Sequence, residues 1–394
     1  MSPIKVAFVL PNLDVGGAQR AHLLIGRYLD HTQVDAVFVS LHPSTRGQAS
    51  LHATFAAAGL ALHDLQLHHR ADRSLRALLL GGWRLRRLCR REQIDVVDSS
   101  VVEADLVARL ATFRTSARHV THLVNTTYDA AVTRRLPRRS RVRLGVLRRL
   151  DALSARRSMA FVALTNEVAA SARRHLHIDR AKLVVIPRGV DIDEFTFRPR
   201  ATAHPVLKIL SLGRLAPQKG HETALGAMAL LEQWGIKADL LIAGAGSLLG
   251  ELERLSVSLG VAERVTFAGA VDTSAVVDLL ADADVFCFPS KWEGQGNAVL
   301  EAMAVGCPVV ASDIGPLREV VGDAGILVAP EDSMALAYGL RRVAELTTDE
   351  RVALSMKARG RVEELFDARG RVRDLETFYG DLLSGNFARG GSTA

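Results

Sequence analysis

Residues 283–312 read ADVFCFPSKWEGQGNAVLEAMAVGCPVVAS, and their pattern decides the predicted fold. The first eight residues have the composition of a buried strand, the next seven form a glycine-containing loop, and AVLEAMAV has helical composition. CPVVAS then resumes a strand pattern. This order predicts a βαβ unit and hence a parallel sheet. We expect Asn297 to cap the helix at its start and Gly306 to end it.

The same alternation of apolar strands and helical stretches runs through both halves of the chain. Strands that are apolar on both faces and alternate with helices indicate parallel sheets covered by helices. We therefore expect an α/β protein with two Rossmann-like domains, joined within the polar, proline-containing segment 186–205. The predicted strands are 5–10, 34–40, 94–100 and 118–124 in the first half, and 207–213, 238–244, 264–269, 283–290, 307–312 and 325–330 in the second.

Length and charge are consistent with two domains that differ in character. A chain of 394 residues exceeds what one hydrophobic core usually supports. Residues 1–195 carry a formal charge of +13 and the remainder carries −6, within a total of +7. This asymmetry favours an anionic partner for the first half only.

The cysteines and the hydropathy pattern indicate a cytoplasmic protein. Three scattered cysteines, Cys89, Cys287 and Cys307, show neither a disulfide framework nor a metal cluster. The apolar run near the N-terminus is too short for a signal peptide, and no run approaches 18 apolar residues. We therefore expect a cytoplasmic location.

The loop and helix of the opening stretch have the composition of a ligand site. Open parallel sheets bind ligands at the carboxyl ends of their strands, and free amides at a helix start favour phosphate. Gly294 and Gly296 would let the backbone approach a ligand. Taken singly, Glu293 is equally consistent with an exposed loop charge and Glu301 with a carboxylate stabilised by the helix dipole. A ligand with hydroxyls and a diphosphate, such as a nucleotide sugar, would satisfy all of these groups.

A second loop fits the same ligand. SLGRLAPQKGHETAL places Arg214 and Lys219 after the first strand of the second domain and before a helix. Arginine binds phosphate through its planar fork and lysine as a point charge. Such a pair alone is more often solvated, but beside Glu293 and Glu301 it favours diphosphate binding.

In these motifs the chain resembles retaining glycosyltransferases of the group 1 family (family 4), which have the GT-B fold. The resemblance is carried by an E-x7-E element in EGQGNAVLEAMAVGCPVVAS, and by GRLAPQKG, IAGAGS, VIPRGVD, PNLDVGGAQR and the terminal FDARGRVRDLETFYGDLL. It implies two Rossmann-like domains facing each other across a cleft. Their expected bounds are 1–195 for acceptor binding, 196–370 for nucleotide-sugar binding, and 371–394 for a terminal helix that returns to the first domain, followed by a tail.

The resemblance also implies a role for each matching residue. Glu301 would bind the donor ribose, and Glu293 would contact the transferred sugar and stabilise positive charge at its anomeric carbon. Arg214 and Lys219 would hold and stabilise the leaving diphosphate. Further donor contacts are implied for the backbone of Gly294, Gln295, Gly296, Asn297 and Ala298, and for Gly16 and Gly17, which could also face the acceptor.

The implied reaction moves a sugar from a nucleotide diphosphate sugar to a hydroxyl acceptor, here expected to be a lipid-linked or cell-envelope glycan. Configuration would be retained by front-face attack, without a carboxylate nucleophile, a metal or a cofactor. A UDP-sugar is expected rather than a GDP-sugar. Alternatives are an epimerase or a phosphorylase of the same fold, and a catalytically silent protein that binds nucleotide sugars.

The sequence departs from the family pattern at several positions. Asn125 stands where many relatives have a histidine, and it is the candidate acceptor-side residue; an amide cannot take up a proton. His119 and His122 lie nearby, but a role as ordinary strand residues is favoured. Arg188 replaces an asparagine that is usual before Gly-Val-Asp. The pair Asp282-x-Asp284 resembles a metal-binding motif, but its place at a helix-to-strand junction favours a structural role.

The segment 134–157 holds ten arginines and one acidic residue, Asp151. As a helix it places Val142, Val146, Leu150 and Leu153 on one face. Two interpretations stay open: this face docks on an anionic membrane at the inner side of the plasma membrane, or it packs onto the sheet while the arginines are solvated. Segment 77–91 is a second, weaker candidate. No stacking platform or recognition module supports nucleic-acid binding.

Overall fold

The computed structural model describes residues 2–14, 16–44, 50–67, 75–199 and 201–387. The chain divides into two compact units. Unit 1 comprises Met1–Gly189 and Ala368–Ala394, and unit 2 comprises Val190–Asp367.

Each unit contains one parallel sheet with helices on its faces. The strands are β1 (Ile4–Leu10), β2 (Val34–Ser40), β3 (Ala61–Asp64), β4 (Val96–Ser100), β5 (Arg118–Leu123), β6 (Ala160–Ala163), β7 (Leu183–Val185), β8 (Leu207–Leu212), β9 (Ala238–Ala243), β10 (Val265–Gly269), β11 (Val285–Phe288), β12 (Val309–Ser312) and β13 (Ile326–Val328). The helices are α1 (Gly17–Tyr28), α2 (His52–Ala57), α3 (Leu75–Glu92), α4 (Val102–Thr112), α5 (Ala130–Thr133), α6 (Arg138–Ala155), α7 (Asn166–Leu176), α8 (His221–Gln233), α9 (Leu249–Ser258), α10 (Thr273–Asp282), α11 (Asn297–Val305), α12 (Gly315–Val321), α13 (Ser333–Ala344), α14 (Thr348–Leu365) and α15 (Ala368–Ser384).

The sheet of unit 1 has seven strands in the order β3-β2-β1-β4-β5-β6-β7. Its central strands are buried on both faces because their side chains alternate between two cores. Val6 and Phe8 of β1 belong to one core, whereas Ala7 and Val9 belong to the other. The first core includes Tyr379 of α15, so the last helix is an integral part of unit 1.

The sheet of unit 2 has six strands in the order β10-β9-β8-β11-β12-β13. β11 lies between β8 and β12, with Phe286 in register with Leu210 on one side and Val309 on the other. The prediction of an α/β chain with two parallel sheets is confirmed. All ten strands expected from the sequence are present, with ends that differ by up to two residues from those predicted.

Three strands of unit 1 were missed by sequence reasoning, namely β3, β6 and β7. Each has only three or four residues, and none of the side chains of β3 is fully buried. A run of three or four residues is too short to show a strand pattern, even where it is apolar throughout, as in AFVA of β6 and LVV of β7.

The expected N-cap of α11 was wrong by one residue. Gly296 is the cap, at φ +95°, and Asn297 is the first helical residue. The left-handed conformation is one that glycine adopts without a steric penalty, so the turn into the helix falls on Gly296. Gly306 ends the helix as expected, at φ +89°. In the described part of the chain, no helix combines the length and apolar character needed to cross a bilayer.

Candidate active site

The candidate site of unit 2 is built from two loops that leave neighbouring strands. β8 and β11 pair in parallel, so their carboxyl ends lie at the same edge of the sheet. The loop after β8 carries Arg214 and Lys219 and includes a 3-10 turn at Pro217–Lys219. The loop after β11 carries Glu293 and leads into α11.

Lys219 and Glu293 meet across these two loops. The Nζ atom of Lys219 lies 2.6 Å from Oε1 of Glu293, with 15% and 9% of the two side chains exposed. The same Nζ lies 4.7 Å from the centre of the Phe288 ring, an arrangement that favours a cation. The carboxylate of Glu293 is therefore a buried charge with a partner, which excludes its interpretation as an exposed loop residue.

Further contacts lock the two loops together. The side-chain amide of Gln218 donates to the carbonyl of Trp292 at 2.9 Å, and the backbone amide of Lys291 donates to the carbonyl of Gln218 at 2.8 Å. The ammonium group of Lys291 pairs with Glu222 and lies 3.5 Å from Glu331. The position of Glu293 relative to Lys219 is thus set by several bonds that do not involve either residue.

Two glycines allow the loops to approach this closely. Gly220 adopts φ +64°, and a Cβ atom there would overlap the carbonyl oxygen of Pro289. Gly244, after β9, would similarly overlap the carbonyl of Gly213. The carboxyl ends of three strands therefore pack backbone against backbone, which only glycine permits at these points.

Arg214 lies on the same loop with its side chain exposed. Its Nη2 donates to Oε1 of Gln218 at 3.5 Å, the limit of a hydrogen bond. The guanidinium is thus loosely held and accessible, as an anion-binding group would be. Its loop is the one that also positions Lys219.

The least buried face of α11 contains the residues predicted to contact a ligand. Asn297 and Ala298 open the helix, and Glu301 lies one turn later; all three are half-buried, whereas Val299 and Leu300 are buried. Residues four positions apart share a helix face, so Glu301 lies on the same face as Asn297. The first-turn amides of α11 have no acid among their own side chains. An anion at this end would meet the backbone amides of the first turn and the positive end of the helix dipole.

Gly294, Gln295 and Gly296 connect Glu293 to this helix and are all buried. A Cβ atom on Gly296 would lie 2.7 Å from Cδ2 of Leu317, so the backbone is pressed against α12. The predicted glycine loop is therefore tightly packed.

Two buried polar groups of this region were not predicted. His221 opens α8 directly after Gly220, and burial is the main cause that lowers its pKa to about 4. Its Nε2 atom and the hydroxyl of Ser290 have no hydrogen-bond partner among the described residues. In the sequence, the one indication that these two residues belong to the site was their position within two residues of Lys219 and Lys291.

The remaining predicted site residues belong to unit 1. Gly16 caps α1 in an extended conformation, with φ −168°, and Gly17 is the first helical residue. Asn125 follows β5, is exposed, and accepts a hydrogen bond from the Thr127 hydroxyl through its side-chain oxygen. Gly16 and Gly17 thus lie where the chain enters α1 after β1, and Asn125 lies in the loop after β5.

The histidines near Asn125 are buried strand residues. His122 Nδ1 lies 3.2 Å from both carboxylate oxygens of Asp98, which also accepts a 2.6 Å bond from Tyr379. His119 bonds to Ser99 and Ser158, and burial holds its pKa well below the usual range. Both rings are thereby bound into the interior of unit 1.

Arg188 lies in the same unit as this cluster and is half-buried. Burial lowers the pKa of its guanidinium to about 10, against the opposing effect of the Asp98 charge. Arg188, which stands where the family usually has an asparagine, therefore brings a cation near the Asp98 carboxylate.

The Asp282-x-Asp284 pair is occupied by protein groups. Asp284 is fully buried and accepts bonds from the backbone amides of His204 and Lys208, at 3.1 and 2.9 Å. Asp282 pairs with the Lys208 ammonium at 2.7 Å. Within the described ranges, no group of three or more histidine, cysteine or acidic side chains is arranged to hold a metal ion.

The two parallel sheets define the GT-B fold of glycosyltransferases, and solved structures with this fold superpose on the chain. The chain superposes on sucrose-phosphate synthase from Thermosynechococcus elongatus with a TM-score of 0.81, at 20% identity, covering 97% of this chain and 100% of the other. It superposes on Anabaena HepE, solved with UDP-glucose, with a TM-score of 0.78, at 19% identity, covering 96% and 100% of the two chains.

The family follows from two sequence models that together cover most of the chain. The model for glycosyl transferases group 1 matches residues 193–361, and the model for glycosyltransferase family 4 matches residues 15–194. The chain belongs to this family of glycosyltransferases.

Curated relatives match over about half of their length. A GDP-mannose-dependent alpha-(1-6)-phosphatidylinositol monomannoside mannosyltransferase of Mycobacterium tuberculosis is 34% identical over 53% of this chain and 57% of its own. A putative colanic acid biosynthesis glycosyltransferase of Escherichia coli is 35% identical over 50% of each chain.

Proposed function

We propose that the chain is a retaining glycosyltransferase that moves a sugar from a nucleoside diphosphate sugar to a hydroxyl of a lipid-linked or cell-envelope glycan. The observation that carries this proposal is the 2.6 Å pair between Lys219 and Glu293, held at the start of α11. In this proposal Lys219 supplies the cation for the leaving diphosphate, and Glu293 supplies the anion for the sugar that becomes positively charged.

The diphosphate is assigned to the basic loop and the helix start. Lys219 supplies a partly buried cation, Arg214 an accessible guanidinium, and α11 the backbone amides of its first turn. Negative charge grows on the diphosphate as its bond to the sugar breaks. Groups already oriented towards that charge stabilise the transition state more than the bound substrate, and this difference accelerates the reaction.

Glu293 is assigned to the transferred sugar and Glu301 to the ribose. A carboxylate near the anomeric carbon stabilises the cationic character that develops there. Its pairing with Lys219 keeps the carboxylate of Glu293 oriented. With the carboxylate engaged in this pair, we infer that it is not a nucleophile and that the acceptor hydroxyl attacks from the face of the leaving diphosphate, which takes its proton. This course retains the anomeric configuration.

The donor base and the acceptor are proposed from the names of relatives. We propose a UDP-sugar, the ligand type of the Anabaena HepE structure, over the GDP-mannose for which the Mycobacterium tuberculosis relative is named. The envelope acceptor is supported by relatives named for phosphatidylinositol mannoside and colanic acid. Acceptor binding is assigned to unit 1, with Asn125 as its candidate residue, while Gly16 and Gly17 are assigned to the donor phosphates and could also face the acceptor.

The first experiment is a ligand screen followed by product analysis. Thermal unfolding is measured with UDP, GDP, ADP and their glucose, N-acetylglucosamine and mannose derivatives, because a ligand that binds only the folded state raises the melting temperature. The stabilising donor is then incubated with polyprenyl-phosphate-linked sugars. Proton NMR of the product reports the anomeric configuration.

Each outcome is decisive for one part of the proposal. A transferred sugar with the donor's configuration supports it, whereas inversion contradicts the proposed mechanism. Conversion of the donor to its epimer in the absence of acceptor would identify an epimerase instead. Nucleotide binding with no turnover of any donor would favour the silent binding protein.

A further inference from the structure

The outer face of α6 carries exposed apolar side chains. Val142, Val146, Leu150 and Leu153 are 63%, 53%, 52% and 63% exposed. Their spacing of four, four and three residues places them in one stripe of the helix. Packing of this stripe onto the sheet, one of the two interpretations of the sequence, is therefore wrong. A set of large apolar side chains left in solvent on one face marks an interaction surface more often than chance exposure does.

The inner face of the same helix is fixed to unit 1. Asp151 of α6 is buried and pairs with Arg109 of α4 at 2.6 Å, and it accepts a 2.8 Å bond from the Tyr128 hydroxyl. Ala155 is buried in a small core that Leu144 also contacts. The rotation of α6 about its axis is thus set by buried contacts, so its outer stripe is presented to solvent as a preformed surface.

The charge around the stripe is of one sign. The segment 134–157 has ten arginines, and all of them are exposed. Its one acidic residue, Asp151, is turned inward against Arg109. The arginines are Arg134, Arg135, Arg138, Arg139, Arg141, Arg143, Arg148, Arg149, Arg156 and Arg157.

Helix α3 contains the second segment that the sequence offered as a membrane-docking surface, but its apolar side chains are partly buried and partly exposed. Leu85, Leu88 and Cys89 are buried, whereas Leu79, Leu80 and Trp83 are exposed towards its start. α4 packs against both α3 and α6. On α6, by contrast, all four apolar side chains of the stripe are exposed.

We propose that the outer face of α6 binds the surface of a bilayer that contains anionic lipids. The ten arginines match anionic headgroups, and the valine and leucine side chains match the boundary between headgroups and acyl chains. A nucleic acid would meet the charge but would leave the four apolar side chains unused, because phosphate and ribose offer them no partner. The 18 residues of α6 span about 27 Å at 1.5 Å per residue, enough to lie along the membrane over several headgroups.

This inference goes beyond the proposed function and does not depend on it, since lipid binding is measured without a donor or an acceptor. If both hold, the docked enzyme acts on acceptors that are anchored in the same membrane. The two can also fail separately: a transferase that ignores vesicles refutes only the docking surface.

Vesicle co-sedimentation of the full chain tests the proposal. Vesicles of phosphatidylcholine alone are compared with vesicles that contain 30% phosphatidylglycerol, at low and at physiological salt. We expect at least tenfold tighter binding to the anionic vesicles, weakening as salt rises because the attraction is screened. Equal binding to both vesicle types, or to neither, would overturn the proposal.

Two variants separate charge from apolar contact. Arg141→Gln/Arg148→Gln/Arg149→Gln is expected to reduce binding to anionic vesicles at least tenfold. Val146→Ser/Leu153→Ser is expected to reduce it at least fivefold at unchanged charge. All of these side chains are exposed, so little change in melting temperature is expected. If the arginine variant bound as the unaltered chain does, α6 would not be the docking surface; if only the serine variant did, apolar contact would be refuted.

Matched controls come from unit 2. Val257→Ser removes an apolar side chain that is 68% exposed, and Lys237→Gln/Arg254→Gln/Arg342→Gln removes three exposed positive charges. Neither control is expected to change vesicle binding. If either control lost as much vesicle binding as the α6 variants lose, the assignment to α6 would be refuted.

Competition with single-stranded RNA tests the alternative partner. If RNA bound more tightly than anionic vesicles, and if that binding depended on the same α6 arginines, the partner of α6 would be a nucleic acid and not a lipid surface.

Discussion

The ammonium group of Lys219 lies 2.6 Å from the carboxylate of Glu293 although 74 positions separate them along the chain. The pair is largely buried, and the ring of Phe288 lies beneath the cation. Both charges would be destabilised if either were removed, because an uncompensated buried charge is unfavourable. The pair thus binds the two loops together and at the same time supplies the two charges that the proposed reaction needs.

Replacement of Glu293 by glutamine tests the electrostatic role of this carboxylate. The amide keeps the shape and loses the charge, so we expect kcat to fall about 10²–10³-fold, the usual cost of losing one oriented group in a transition state. Donor affinity is expected to change by less than tenfold. Steady-state kinetics measures both, with the exposed Glu251→Gln of α9 as the control. A kcat within threefold of the unaltered enzyme would contradict the assigned role.

Alanine substitutions at Arg214 and Glu301 test which part of the donor each residue contacts, the diphosphate or the ribose. Arg214→Ala is expected to weaken UDP at least tenfold and uridine by less than twofold, because only UDP carries the diphosphate. Glu301→Ala is expected to weaken both ligands, since both contain the ribose. Isothermal titration measures the affinities, and Arg254→Ala of α9 serves as the control. If Arg214→Ala weakened UDP and uridine equally, the arginine would not contact the diphosphate. The same experiment with GDP and guanosine applies if GDP proves to be the nucleotide that binds.

Alanine at Gly220 tests the close approach of the two loops. Gly220 and Gly235 both have positive φ, +64° and +72°, but a Cβ atom at Gly220 would overlap Pro289 while one at Gly235 would contact nothing within 4 Å. Both substitutions carry a backbone penalty of about 1–2 kcal/mol. Gly220→Ala should add about 1–3 kcal/mol of overpacking.

Urea unfolding of the two alanine variants measures the difference. We expect the free energy of unfolding of unit 2 to fall further for Gly220→Ala than for Gly235→Ala, and donor binding to weaken only in the former. Equal destabilisation would mean that the contact with Pro289 relaxes at no cost.

The buried ring of His221 predicts a pH dependence of stability. Its folded pKa is lowered to about 4 from an ordinary value of 6.5, so the unfolded chain binds a proton that the folded chain does not between these values. The contribution of His221 to stability is therefore fully present above pH 6.5 and is lost progressively as the pH falls towards 4.

His221→Gln should make the melting temperature of unit 2 less sensitive to pH between 7.0 and 5.0. In this range most carboxylates remain ionised, so the histidine dominates the difference between the two proteins. His31→Gln, at an exposed position of unit 1, is the control. Parallel pH profiles for His221→Gln and the unaltered chain would show that the ring does not titrate in this way.

Much of the candidate site was predictable because its chemistry is local in sequence. Glu293, Gly296 and Glu301 lie within nine positions, and the strand before them and the helix after them follow from apolar patterning alone. Arg214 and Lys219 were equally visible, since a loop after a buried strand needs no charge for folding. The one-residue error at Asn297 arose because side-chain preference for capping competes with the backbone freedom of Gly296.

The relative placement of these local motifs was decided only by the tertiary structure. Pairing of β8 with β11 brings Lys219 against Glu293, and burial leaves Nε2 of His221 without a hydrogen bond among the described residues. On α6 the sequence showed an apolar stripe among arginines but did not show whether the stripe faces the sheet or the solvent, because the same pattern is compatible with both. The buried pair between Asp151 and Arg109, 42 positions apart, turns the stripe outward. Short-range patterning therefore determined the elements and their chemistry, whereas long-range pairing of buried charges decided which groups meet and which face the solvent.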